Sequence, residues 1–108
     1  MLAFRETPLF TRRIVEILDD TEYAELQAAL VVRPELGRLI PDTGGLRKVR
    51  WAESQRGKGK RGGIRIVYYW HRGGALIYML LAYSKGERDD LSPQEKRQLR
   101  KLIAEEFK

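Results

Sequence analysis

Lysine and arginine dominate the residues of this chain that could act on a substrate. Between positions 47 and 72 stand nine cations, Arg47, Lys48, Arg50, Arg56, Lys58, Lys60, Arg61, Arg65 and Arg72, against one acid, Glu53. That quarter of the chain carries more positive charge than the whole, whose net charge is +6. Solubility calls for mixed charge, whereas a one-sided excess is how a phosphate-binding face reads in sequence. A single arginine would be an ordinary surface charge, so the case rests on several sharing one face. Side chains alternate across a strand. In 46–53, Arg47, Val49 and Trp51 form one row with Val49 and Trp51 expected toward the core, which turns Lys48 and Arg50 outward. In 64–72, Ile64, Ile66, Tyr68 and Trp70 make the better core row, so Arg65 joins that outer surface. Tyr83 and Lys85 close the next strand, where Ile77, Met79 and Leu81 precede them in one row and Leu76, Tyr78, Leu80 and Ala82 form the other. Such a surface suits a polyanion, because arginine forks phosphate oxygens and aromatic rings stack on unpaired bases.

Other chemistries find little support. The chain has no cysteine and one histidine, His71, which leaves neither a thiolate metal site nor a paired-histidine nuclease. GKGKRG at 57–62 spells G-x-G-x-x-G, but that fingerprint must open a helix after a strand, and here a strand follows. No G-x-x-x-x-G-K-[ST] loop is present. Asp89 and Asp90, just ahead of a helix cap, read as first-turn electrostatics.

The elements that must position the basic face follow from pattern. A length of 108 residues with 43% hydrophobic content fits one domain, residues 1–108, with a core of its own. Leu2 and Phe4 alternate as in a short strand. Thr7 and Pro8 read as an N-cap and first helical residue, with Phe10, Ile14, Ile17 and Leu18 on one face. The acids at 19–22 cap a second helix carrying Tyr23, Leu26 and Leu30, stopped at Arg33-Pro34. The short joint predicts a helical hairpin. Residues 35–45 carry loop signals, and 46–53, 64–72 and 76–83 read as strands, with Gly73-Gly74 turning the last two. Ser92-Pro93-Gln94-Glu95 is a capping box that launches a last helix with Leu99, Leu102 and Ile103 inward. The predicted class is α+β, order β-α-α-β-β-β-α, a small mostly antiparallel sheet packed against the hairpin and the C-terminal helix. No apolar run approaches the roughly 18 residues of a membrane span, and the N-terminus lacks a signal-peptide core. A cytoplasmic protein is expected.

Together with this element order, LRKVRW at 46–51, GIRIVYY at 63–69 and YMLLAYSKGERDDL at 78–91 before a capped helix resemble the RelE superfamily, and within it the HigB-type toxins of bacterial toxin–antitoxin pairs. The resemblance implies a RelE-like fold and a ribosome-dependent endoribonuclease that cuts mRNA in the ribosomal A site without a metal or other cofactor. It implies 2′-hydroxyl attack on the adjacent phosphate, leaving a 2′,3′-cyclic phosphate. Its implied partners are the ribosome, mRNA, a small helix-turn-helix antitoxin, and operator DNA through that antitoxin. Lys48, Arg50, Arg65 and Lys85 correspond to the family's catalytic basic residues, with Arg47, Arg56, Lys58, Lys60, Arg61 and Tyr83 expected to contact RNA or ribosome. Like charge around a lysine disfavours its ammonium and draws it toward use as a base, so Lys48 or Lys85 is the candidate base and the other the acid or clamp. Arg50 and Arg65 stay protonated and stabilise charge. One departure is Leu91 and Ser92, where many relatives carry a tyrosine; Tyr83 is the candidate replacement. Two other readings stay open: a ParE-like gyrase poison, whose branch typically lacks the basic set, and a non-catalytic basic RNA- or ribosome-binding module.

Overall fold

Each helix starts where a side-chain oxygen meets its first free N–H groups. Thr7 accepts from the Phe10 amide at 3.0 Å and opens α1 (Pro8–Ile17). Asp19 and Glu22 close a reciprocal capping box on α2 (Asp20–Val32), and Ser92 and Glu95 do the same for α3 (Pro93–Glu106). The computed structural model describes residues 2–51, 63–88 and 90–107. Its strands are β1 (Ala3–Glu6), β2 (Arg38–Leu39), β3 (Leu46–Trp51), β4 (Ile64–His71) and β5 (Leu76–Ser84). They form one sheet of order β1-β5-β4-β3-β2, antiparallel except for β1 on β5. The class is α+β, as expected.

Both faces of the sheet are covered, and that changes the setting of the basic residues. Val49, Ile64, Ile66, Tyr68, Ile77, Met79 and Ala82 pack beneath Phe10, Ile14 and Ile17 of α1 and Leu26 and Leu30 of α2. The buried Tyr68 hydroxyl donates to the Pro34 carbonyl at 2.6 Å and accepts from the Gly37 amide at 2.9 Å, which removes the cost of burying it. On the opposite face Leu46, Val67, Tyr78, Leu80 and Tyr83 meet Leu91 and Ile103, with Leu99, Leu102 and Phe107 at the margin. Burial of Ile103 alone contributes roughly 1.5–3 kcal/mol to docking α3. The second row of β4 is therefore a second core over much of its length.

Three details depart from the pattern. Inside the expected loop, β2 pairs Arg38 with Lys48 and Leu39 with Arg47. The turn signals hold for the bend that follows, where Thr43 Oγ1 donates to the Ile40 carbonyl at 2.6 Å and accepts from the Leu46 amide at 3.2 Å. In the β4–β5 turn the left-handed position falls on Ala75, φ 50°, and neither Gly73 nor Gly74 takes it. Third, Val67 pairs with Leu81 and Tyr68 with Met79, so Leu80 is an extra residue, a β-bulge. Leu80 and Leu81 consequently both join the α3 side, and every later residue of β5 changes face. Thr7 holds the bulge: its amide donates to the Met79 carbonyl at 3.1 Å and its hydroxyl to the Leu80 carbonyl at 2.9 Å. Among the described residues no helix is long and apolar enough to cross a membrane.

Candidate nucleic-acid interface

The bulge assembles the site. Without it Tyr83 would lie in the row of Ile77 and Met79, under α1; with it Tyr83 stands opposite Arg65, which itself stands opposite Arg50. Arg50, Arg65 and Tyr83 form one rung across β3, β4 and β5, and Lys48 sits two residues along on the same face. Directly opposed side chains on a rung lie roughly 5 Å apart at Cβ, within joint reach of one phosphate. Beyond α3 the face is open at Arg50, while Arg65 is only 8% exposed, so it lies at the floor and not on the outer surface expected for it. Gly63, φ 67°, makes room for it: a Cβ there would stand 3.3 Å from Arg65 Nη1.

Because β2 ends at Leu39, no strand among the described residues pairs with residues 49–51 of β3 on that side. A cleft of about 550 Å³ opens there, lined by Leu36, Ile40, Pro41 and Trp51 as apolar wall and by Arg38, Lys48, Arg50 and Asp90 as charged rim. An apolar wall beside cations is what an unpaired nucleotide needs, base against one and phosphate against the other. Lys48 Nζ lies 3.4 Å from Asp90 Oδ1. Partial burial pushes the Asp90 carboxyl up, but the Leu91 amide at 3.0 Å and the Lys48 ammonium outweigh it and hold the group below the usual carboxylate range. Burial pushes the Tyr83 phenol up, with the Asp90 charge adding to it and the Arg88 and Arg65 charges opposing, so it keeps its proton. The Arg88 guanidinium lies 4.6 Å from the Tyr83 ring centre and pairs with Glu95 at 2.5 Å, tying the site to the α3 cap.

Of the residues singled out by sequence, Lys48, Arg50, Arg65 and Tyr83 come together. Lys85 is exposed one turn beyond, opposite Gly63, whose carbonyl its amide meets at 3.3 Å, and its side chain joins no contact of the group. Arg47 points to the other face and donates to the Gly37 carbonyl at 2.8 Å and the Glu35 carbonyl at 3.3 Å, a brace for the loop before β2. Arg56, Lys58, Lys60 and Arg61 lie outside the described residues. His71 stacks on Phe107, ring centres 4.3 Å apart, and anchors the end of α3. Sequence reasoning missed Arg38, hidden among loop signals, and Asp90, which precedes the first turn of α3 and faces Lys48. No protein-family model matches the chain, so the site's chemistry has to come from its own residues.

Proposed function

We propose that this protein is the toxin of a type II toxin–antitoxin pair: a ribosome-dependent, metal-independent endoribonuclease of the cytoplasm that cleaves mRNA in the A site and inhibits translation. The observation that carries this reading is the Arg50–Arg65–Tyr83 rung with the Lys48–Asp90 pair beside it: Arg50, Lys48 and Asp90 line a cleft with an apolar wall, and the buried Arg65 and Tyr83 lie next to Arg50 across the sheet. In this scheme a nucleotide lies with its base against Trp51 and its scissile phosphate over the rung. Arg50 and Arg65 hold the non-bridging oxygens and stabilise the charge that builds on them. The substrate 2′-hydroxyl attacks the phosphorus and the bond to the 5′-oxygen breaks, giving a 2′,3′-cyclic phosphate and a 5′-hydroxyl. The Asp90 carboxylate takes the proton lost by the 2′-hydroxyl, and the Lys48 ammonium gives one to the leaving oxygen. The Lys48–Asp90 pairing places an acceptor beside the amine, which favours the acid among the roles open to Lys48. Tyr83, buried beside Arg65 and under Arg88, backs the rung. A small antitoxin would hold the enzyme inactive and carry it to operator DNA.

Primer extension on a defined message in reconstituted translation tests this. Cuts inside the A-site codon, present only with translating ribosomes, are the expected result. A folded protein that binds RNA and leaves every message intact would reduce the site to a binding surface. Intact messages together with trapped DNA–gyrase complexes would replace this reading by the gyrase poison.

A further inference from the structure

A second basic groove lies on the far side of the turn that walls the cleft. Ile40 and Pro41 line the cleft, while Thr43 and Gly44 of the same turn line a groove of about 420 Å³ against α3. Its helical wall is Arg97, Arg100 and Lys101, all exposed, with Ile103 and Ala104 below them. Arg100 Nη1 reaches the Asp42 carbonyl at 3.4 Å, which leans the helix on the turn. Among the described residues no carboxylate pairs with these three cations, although Glu105 follows Lys101 by one turn. Arg88, near the start of α3, is by contrast neutralised by Glu95. Three uncompensated cations on one short helical stretch repel one another, and an anion removes that repulsion.

We infer that this groove binds the phosphate backbone of double-helical RNA, as a second contact for the nucleic acid whose single strand occupies the cleft. The occupant follows from what lines the groove. Among the described residues it holds no aromatic ring, so it cannot stack splayed bases as the Trp51 cleft can. A protein partner would need an apolar or aromatic anchor pocket, and Ile103, itself buried, with Ala104 offers little. What remains is charge at helical spacing: Arg97 and Lys101 are four residues apart, about 6 Å along the axis, comparable with the step between neighbouring phosphates. A duplex, whose bases are already stacked inside it, presents just such a backbone. The shared turn makes the two grooves neighbours, so one structured RNA can span both. This inference rests on the RNA reading of the cleft.

The test is the salt dependence of binding, by fluorescence anisotropy, to a labelled RNA duplex and to an unstructured strand of the same length. The variant is Arg97→Gln/Arg100→Gln/Lys101→Gln. Its slope of log affinity against log salt for the duplex should fall by about 2.7, roughly 0.9 for each lost phosphate contact, while binding of the single strand changes less. Arg97→Lys/Arg100→Lys, which keeps the charge, should keep the slope and so excludes a merely structural role for the Arg100 contact. An unchanged duplex slope in the folded triple variant overturns the inference. So does absence of duplex binding by the wild type, or displacement of the duplex by an acidic peptide of equal charge, which would make the partner a protein. Should no message be cut while the triple variant loses its slope, the nuclease reading fails and this inference stands. Cleaved message with equal slopes gives the converse: the nuclease reading stands and this inference fails.

Discussion

Replacing Arg65 by methionine separates catalysis from folding more cleanly than any other change at this site. Methionine keeps a long apolar stem between β3 and β5 but removes the guanidinium. The charge sits at 8% exposure, where water screens it weakly. At an effective dielectric of about 20, a phosphate oxygen some 4 Å away interacts with it by about 4 kcal/mol. Loss of a single transition-state donor of this kind costs about 2.7–4 kcal/mol. Arg65→Met should therefore lower kcat/KM for message cleavage by about 10²–10³-fold. The near-isosteric stem limits the stability change to under about 1.5 kcal/mol, a few degrees in Tm. Arg65→Lys should recover part of the rate, because a point charge replaces the fork without matching two oxygens at once. Single-turnover cleavage on stalled ribosomes, beside a thermal melt of each variant, reads both quantities. An Arg65→Met protein that melts near the wild type and cuts within about threefold of its rate, a difference of only about 0.7 kcal/mol in barrier, would refute the assignment.

Thr7→Val removes both the α1 cap and the donor to the Leu80 carbonyl from a residue 9% exposed, and should lower stability by about 2–3 kcal/mol in a urea melt. Gly63→Ala forces a side chain into φ 67° and against Arg65 Nη1; a loss on the order of 1 kcal/mol is expected, together with a drop in cleavage that a stability change of that size would not cause. Asp90→Asn keeps an acceptor for the Leu91 amide, so the melt should move little, since an ion pair whose carboxylate is 61% exposed is worth under about 1 kcal/mol, while cleavage falls for want of the proton acceptor. The carboxyls of Glu87, Asp90 and Glu95 are all held below their usual range. Their contribution is therefore present above about pH 4, the unfolded range, and is lost as pH falls through the lower folded values. Melts taken downward from pH 5 should show this decline, and a Tm constant to pH 2 would contradict it.

Alternation and capping made most of the fold legible, because both express local rules that tertiary structure left alone: the boxes at Asp19 and Ser92, and the core row of Ile64, Ile66 and Tyr68. Lys48, Arg50 and Arg65 could be grouped for the same reason. Arg65 could not be recognised as buried, since what covers its face is α3, brought there by contacts distant in sequence. Asp90 reads as a helix-start acid until β3 brings Lys48 to it. The strand at Arg38 has two residues and no β-branched side chain, so only its partner reveals it. In the β4–β5 turn, the glycines advertised a left-handed position that Ala75 took instead.

The bulge at Leu80 makes the composition of the site a matter of odd and even counting. Each residue of β5 after it owes its side of the sheet to one supernumerary leucine. A slip that paired Leu80 with Val67 would leave a strand able to pair, yet would exchange the neighbours offered to Arg65, bringing Ala82 where Tyr83 now stands. Such a slip is a change of address: the same tyrosine would be delivered beneath α1, whereas deleting the odd leucine would leave it opposite Arg65. The hydroxyl that holds the odd residue belongs to Thr7, on the opposite side of the sheet. The opening of the first helix thereby keeps the register of a surface it never touches, and loss of that hydroxyl should disturb the activity as well as the fold.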